Sequence, residues 1–176
     1  MLAEFTRGVR DAFAGTDVKA GETMRAWGDF VVSSHASFVP AQVVALARGV
    51  YDAFVLTSVM LVLSVCYHRT RESNSAVARV ELCSTSALFV YGLAQARVCP
   101  HALLQGFELA CAGLVLATYA ASFRLVHTPA AYDLWHPLGL HVVPAAWALA
   151  VAVWHECLLC GQPFAQVDPR LQDARA

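Results

Sequence analysis

Ser64 and His68 stand four residues apart at the end of an apolar run from Ala53 to Tyr67, just before Arg69-Thr70-Arg71-Glu72. That spacing puts both on one face of a helix. Polar groups at such a depth in a membrane-spanning helix are costly and are usually kept for function. Imidazole is a metal ligand, and a hydroxyl one turn deeper can hydrogen-bond a water or a developing oxyanion. Three more residues join this set: Glu81, and the pair His136 and His141. Three imidazoles and a carboxylate suit zinc, with an open position for a water that the ion would make nucleophilic near neutral pH. Each residue also has a plainer reading. His68 alone would serve as a solvated helix-end residue, and Glu81 as an interfacial carboxylate paired with Arg79.

The elements that must carry these residues are apolar helices. The chain is 58% hydrophobic and 14% charged, where a soluble domain carries about 25% charged residues. The reading is an all-α, polytopic membrane helix bundle. About five runs approach the roughly 17–25 residues needed to cross the hydrocarbon core. They are Phe30–Ala47, Val50–His68, Val80–Ala96, Ala102–Phe123 and His136–Cys160. Soluble bundles show a charged stripe along each helix, and these runs do not. They divide the chain into a polar N-terminal segment (1–29), a transmembrane domain (30–160) and a polar tail (161–176) containing Pro163 and Pro169.

A serpentine of five spans brings the end of the second and the starts of the third and fifth to one membrane face. His68, Glu81, His136 and His141 can therefore converge. Loop charge sets the orientation. Arg7, Arg10, Lys19, Arg25, Arg69, Arg71, Arg79 and Arg124 fall on the N-terminal side, against Arg48, Arg97, Arg170 and Arg175 on the other. That excess places the N-terminus in the cytoplasm.

Residues 1–29 contain no apolar stretch of signal-peptide type. Phe5, Val9, Ala12 and Phe13 have rough helical spacing, which allows a short amphipathic helix at the membrane surface. The net charge of −1 gives no reason to expect a nucleic-acid partner; membrane lipids are the expected one. The six cysteines do not form a secreted disulfide framework. Cys157-x-x-Cys160 after His155 is a weak metal signal without a second pair, and palmitoylation or packing explains it as well. Asp52 and Arg48 read as a helix-face ion pair, and Glu108 as either an intramembrane acid or a hydrogen-bond partner of Gln105 or a neighbouring helix.

Segment 34–68 resembles the transmembrane protein 8/myomaker family of the CREST superfamily, which also holds alkaline ceramidases and adiponectin receptors. The resemblance rests on Ser34, Phe38-Val39-Pro40-Ala41, Ala45-Leu46-Ala47-Arg48 and Ser64-x-x-Tyr67-His68. Tyr132-Asp133-Leu134-Trp135-His136-Pro137-Leu138-Gly139-Leu140-His141 is similar to the family's last-helix motif. The resemblance implies seven helices and a zinc site built from a histidine after S-x-x-x, an aspartate in the third helix and an H-x-x-x-H pair in the last. Here the spans number about five and the third has no aspartate, Glu81 being the nearest equivalent. The histidine pair is H-x4-H, and residues five apart on a regular helix point about 140° away from each other. Both can face one metal only if Pro137 or Gly139 leaves that turn irregular.

Two function classes follow. One is a zinc-dependent hydrolase of a lipid amide or ester bond. His68, His136 and His141 would hold zinc, Glu81 would orient water or complete the shell, and Ser64 would stabilise the oxyanion. The other is a non-catalytic structural or remodelling membrane protein with a degenerate metal site.

Overall fold

The computed structural model describes residues 2–14, 25–70, 75–124 and 129–155. The tail over 161–176, Cys157, Cys160 and part of the expected 69–79 loop lie outside them. The described residues are helical, with no strand among them. In chain order they form α1 (Leu2–Ala14), α2 (Phe30–Ser33), a 3₁₀ turn (Ser34–Phe38), α3 (Val39–Ala47), α4 (Tyr51–Arg69) and α5 (Ser75–Val98). These are followed by α6 (Ala102–Arg124), α7 (Pro129–Pro137), a π turn (Leu138–Val142) and α8 (Val143–Trp154).

Five stretches are long and apolar enough to span a membrane: Phe30–Ala47, Tyr51–Arg69, Ala76–Val98, Ala102–Ala121 and Tyr132–Trp154. The first keeps the boundaries read in the sequence, and the third and fifth depart most from theirs. The third starts earlier than Val80, so Glu81 sits inside the helix rather than at its first residue. The fifth ends at Trp154 instead of Cys160, because His155 takes an extended backbone (φ −101°, ψ 159°). The first is broken by the 3₁₀ turn. Pro40 has no N–H for the carbonyl of Ala36 and its ring crowds that carbonyl, so the chain tightens before α3 begins.

Polarity is distributed in the manner of a membrane protein. The exposed positions of α4 are Tyr51, Val55, Val59 and Val62, and α6 exposes Leu103, Phe107, Leu109, Leu114 and Leu116. Buried inside are His35, Asp52, Thr57, Ser64, His68, Gln95, Glu108 and His141. No continuous polar stripe runs along either helix, as lipid contact requires.

Close helix approach builds the core. Ala45, Val50, Ala53, Cys111, Ala112 and Ala152 pack around Tyr91 and Trp147; small residues let backbones come together. The α3–α4 hairpin depends on Gly49, whose φ of 72° ends α3 in a left-handed turn. Val50 N–H reaches the Ala45 carbonyl at 2.8 Å and Gly49 N–H that of Leu46 at 3.2 Å. This is the paired bonding of a glycine C-cap. The expected N-terminal helix exists as α1, and its Phe5 and Val9 pack on Cys66, Tyr67 and Val77 of α4 and α5.

Candidate metal centre

Four histidines meet at one end of the bundle. His68 comes from the last turn of α4, His35 from the 3₁₀ turn, His136 from α7 and His141 from the π turn. Ring centroids are 3.9 Å apart for His35 and His141, 5.1 Å for His68 and His141, 5.5 Å for His35 and His68, and 4.9 Å for His68 and His136. His35, His68 and His141 are buried, and each offers a nitrogen within 4.8 Å of the other two.

The H-x4-H spacing works because the helix widens where the two rings must align. Val143 N–H bonds back to the Leu138 carbonyl, an i→i−5 bond. In such a turn residues five apart stack on one face. Two prolines flank it. Pro137 has no N–H for the Asp133 carbonyl, and Pro144 none for that of Leu140. Gly139 is buried against α6, where a Cβ would collide with the Thr118 side chain. The rings of His136 and His141 consequently lie 5.1 Å apart.

Hydrogen bonding fixes which nitrogens carry lone pairs. His35 Nδ1 lies 3.0 Å from the Val32 carbonyl, which only accepts, so Nδ1 donates and Nε2 is bare. Ser64 Oγ donates to that Nε2 at 2.9 Å. Ser34 Oγ donates to the Val31 carbonyl at 3.0 Å, which leaves it to accept from His141 Nδ1 at 2.7 Å. His141 Nε2 is therefore also bare. It is buried without a hydrogen-bond partner, as is His136 Nδ1. His136 Nε2 and His68 Nε2 are 3.3 Å apart. Buried polar atoms left unpaired are costly, and a divalent ion shared by His35, His68 and His141 would satisfy His141 Nε2; the expected ligand His136 lies outside that group of three. The donor set fits zinc.

The remaining sequence candidates lie around this cluster. Ser64 is buried and points at His35. Glu81 is half-buried on the wall of a cavity of about 650 Å³ that Ser64, His68, His136 and His141 also line. The volume falls within the roughly 300–1,000 Å³ of small-molecule sites. Most of its wall is apolar, including Phe38, Met60, Leu88, Phe89 and Trp147, with Thr57, Thr85 and Ser86 among the polar exceptions. His35 is the member of the cluster that the sequence left unassigned. Its signals were present in Pro40, five residues on, and in a histidine one turn into an apolar span.

A short segment covers this end. Arg25 pairs with Asp29 at 3.1 Å and Asp133 at 3.0 Å, and its N–H reaches the Arg69 carbonyl at 3.2 Å. Burial opposes its charge, but the Asp133 hydrogen bond and the Asp29 carboxylate prevail and raise the guanidinium pKa. The Arg69 guanidinium stacks 3.9 Å above the Trp27 ring.

The chain matches no known family model, no curated protein and no solved structure.

Proposed function

We propose that this membrane protein is a zinc-dependent hydrolase of a lipid amide or ester bond. The observation that carries the reading is the convergence of His35, His68 and His141, with nitrogens within 4.8 Å, at the polar end of a mostly apolar cavity. An amphiphile suits that shape, its tail along Phe89 and Met60 and its scissile bond beside the imidazoles.

When bound, zinc supplies an acidified water and polarises the substrate carbonyl. His35 and His141 would hold it through Nε2, each ring fixed by its Nδ1–H bond to Val32 or Ser34. His68 would complete the set, with His136 beside it as a fourth imidazole. Ser64 lines the cavity beside His35 Nε2, and its hydroxyl would be the donor for the oxyanion if His35 Nε2 held the ion. Glu81 on the cavity wall would orient water and carry its proton to the leaving group.

The resemblance to the transmembrane protein 8/myomaker family supports the same reading. The competing reading, a structural membrane protein with a degenerate site, draws on the 3.3 Å contact between His68 and His136, which closes those two rings on each other. Zinc analysis of detergent-purified protein decides between them, together with turnover of acyl-amide and acyl-ester lipids in proteoliposomes. Zinc that is lost on His68→Ala and turnover that depends on His68 support the hydrolase. Metal-free wild-type protein overturns it.

A further inference from the structure

A second cluster lies at the opposite end of the bundle. Glu108 sits less than two turns into α6, on a helix that is otherwise apolar at that depth, and is fully buried at 0% exposure. A lone buried carboxylate costs several kcal/mol, so something must hold it. The Gln105 partnership read as an option in the sequence is not formed, since Gln105 Nε2 donates to the Ala96 carbonyl at 3.0 Å. Glu108 Oε1 is instead 2.7 Å from His155 Nε2. His155 reaches it by leaving the helix after Trp154 while its N–H still bonds the Val151 carbonyl at 2.9 Å.

That pair leaves one carboxylate oxygen under-satisfied. Glu108 Oε2 is buried with no well-formed hydrogen bond among the described residues, the Trp147 indole N–H being the donor that faces the carboxylate. Cys99, buried at the end of α5, places its thiol in the same group, and the sulfur, a carboxylate oxygen and an imidazole nitrogen all lie within 4.8 Å of one another. A thiolate just past α5, a carboxylate on α6 and an imidazole just past α8 form a borderline-soft donor set, of the kind zinc takes with three protein ligands and an open position. A divalent ion would satisfy the carboxylate that the histidine pairs only on one side. His141 and His155 are fourteen residues apart on one nearly continuous helix, so the two centres are separated by roughly 20 Å along the bundle.

We infer that Cys99, Glu108 and His155 form a second zinc-type metal site, independent of the histidine centre. Binding displaces the Cys99 thiol proton and the proton shared between Glu108 and His155, both released to solvent, with no change in oxidation state.

Cobalt(II) is the probe, because a thiolate ligand gives a sulfur-to-metal charge-transfer band that an all-imidazole centre lacks. Full-length protein in detergent, stripped with chelator and titrated with cobalt, is expected to show that band. Cys99→Ser should abolish it, and Glu108→Gln should weaken the binding that produces it by at least about tenfold. His35→Ala/His68→Ala should leave the band in place, so loss of the histidine centre and loss of this one are read separately. Cys157→Ser/Cys160→Ser should also keep it. Zinc should protect Cys99 from alkylation in unfolded-free wild-type samples, a readout that does not need a variant to fold. Wild-type protein without the band overturns the inference. So does a band that survives Cys99→Ser, or one that follows Cys157 and Cys160.

Discussion

His35 and Ser64 belong to different spans, yet Ser64 Oγ lies 2.9 Å from His35 Nε2. One hydrogen bond thus joins the histidine that the sequence left unassigned to the hydroxyl that it singled out. The contact also makes the serine's role conditional, because its proton is committed to the imidazole.

Replacing a ligand should therefore have a different signature from replacing the serine. His68→Ala and His35→Ala are each expected to lose the zinc of the histidine centre and lipid hydrolysis together, while the Cys99 site keeps its own ion. Ser64→Ala should keep zinc and lower turnover by about 10²–10³, the usual cost of one oxyanion donor. Metal content and single-lipid turnover on the same preparations check this. Zinc lost from Ser64→Ala would contradict the assigned role.

Ser34 orients His141 through the 2.7 Å bond to Nδ1. Ser34→Ala should weaken zinc affinity by about 10–100-fold, as loss of a partner behind a metal ligand does. Competition against a chelator of known affinity measures it. An unchanged affinity would mean that the ring is held by packing alone.

The π turn needs a residue without a Cβ where α6 passes. Gly139→Ala should destabilise the protein by about 1–3 kcal/mol through overpacking, and Thr118→Ala should recover part of the loss. Thermal unfolding in detergent reads both. Deleting Gly139 restores three-residue spacing on a regular helix, where the two rings again share a face, so zinc retention is expected for that variant.

The excess of Lys and Arg on the N-terminal side predicts a cytoplasmic N-terminus. A glycosylation scan with inserted acceptor loops should find an insertion between α4 and α5 unmodified and one between α5 and α6 modified. A glycan accepted between α4 and α5 reverses the orientation.

The sequence by itself determined the spans and the end of the bundle that each polar residue occupies. Rise per residue against a core about 30 Å thick leaves little freedom in depth, so His68, His136 and His141 were bound to share a face once five runs were recognised. What lay beyond the sequence was direction around each helix axis. A regular helix would turn His136 and His141 apart by about 140°, and only the π turn, held between Pro137, Pro144 and the Thr118 contact, brings them together. The 3₁₀ turn likewise carries His35 into the cluster. Glu108 and His155 are 47 positions apart in the chain and meet because α8 stops at Trp154. Apolar periodicity reports which segments enter the membrane; it does not report where a helix departs from 3.6 residues per turn, because packing against neighbours and missing proline N–H groups decide that locally.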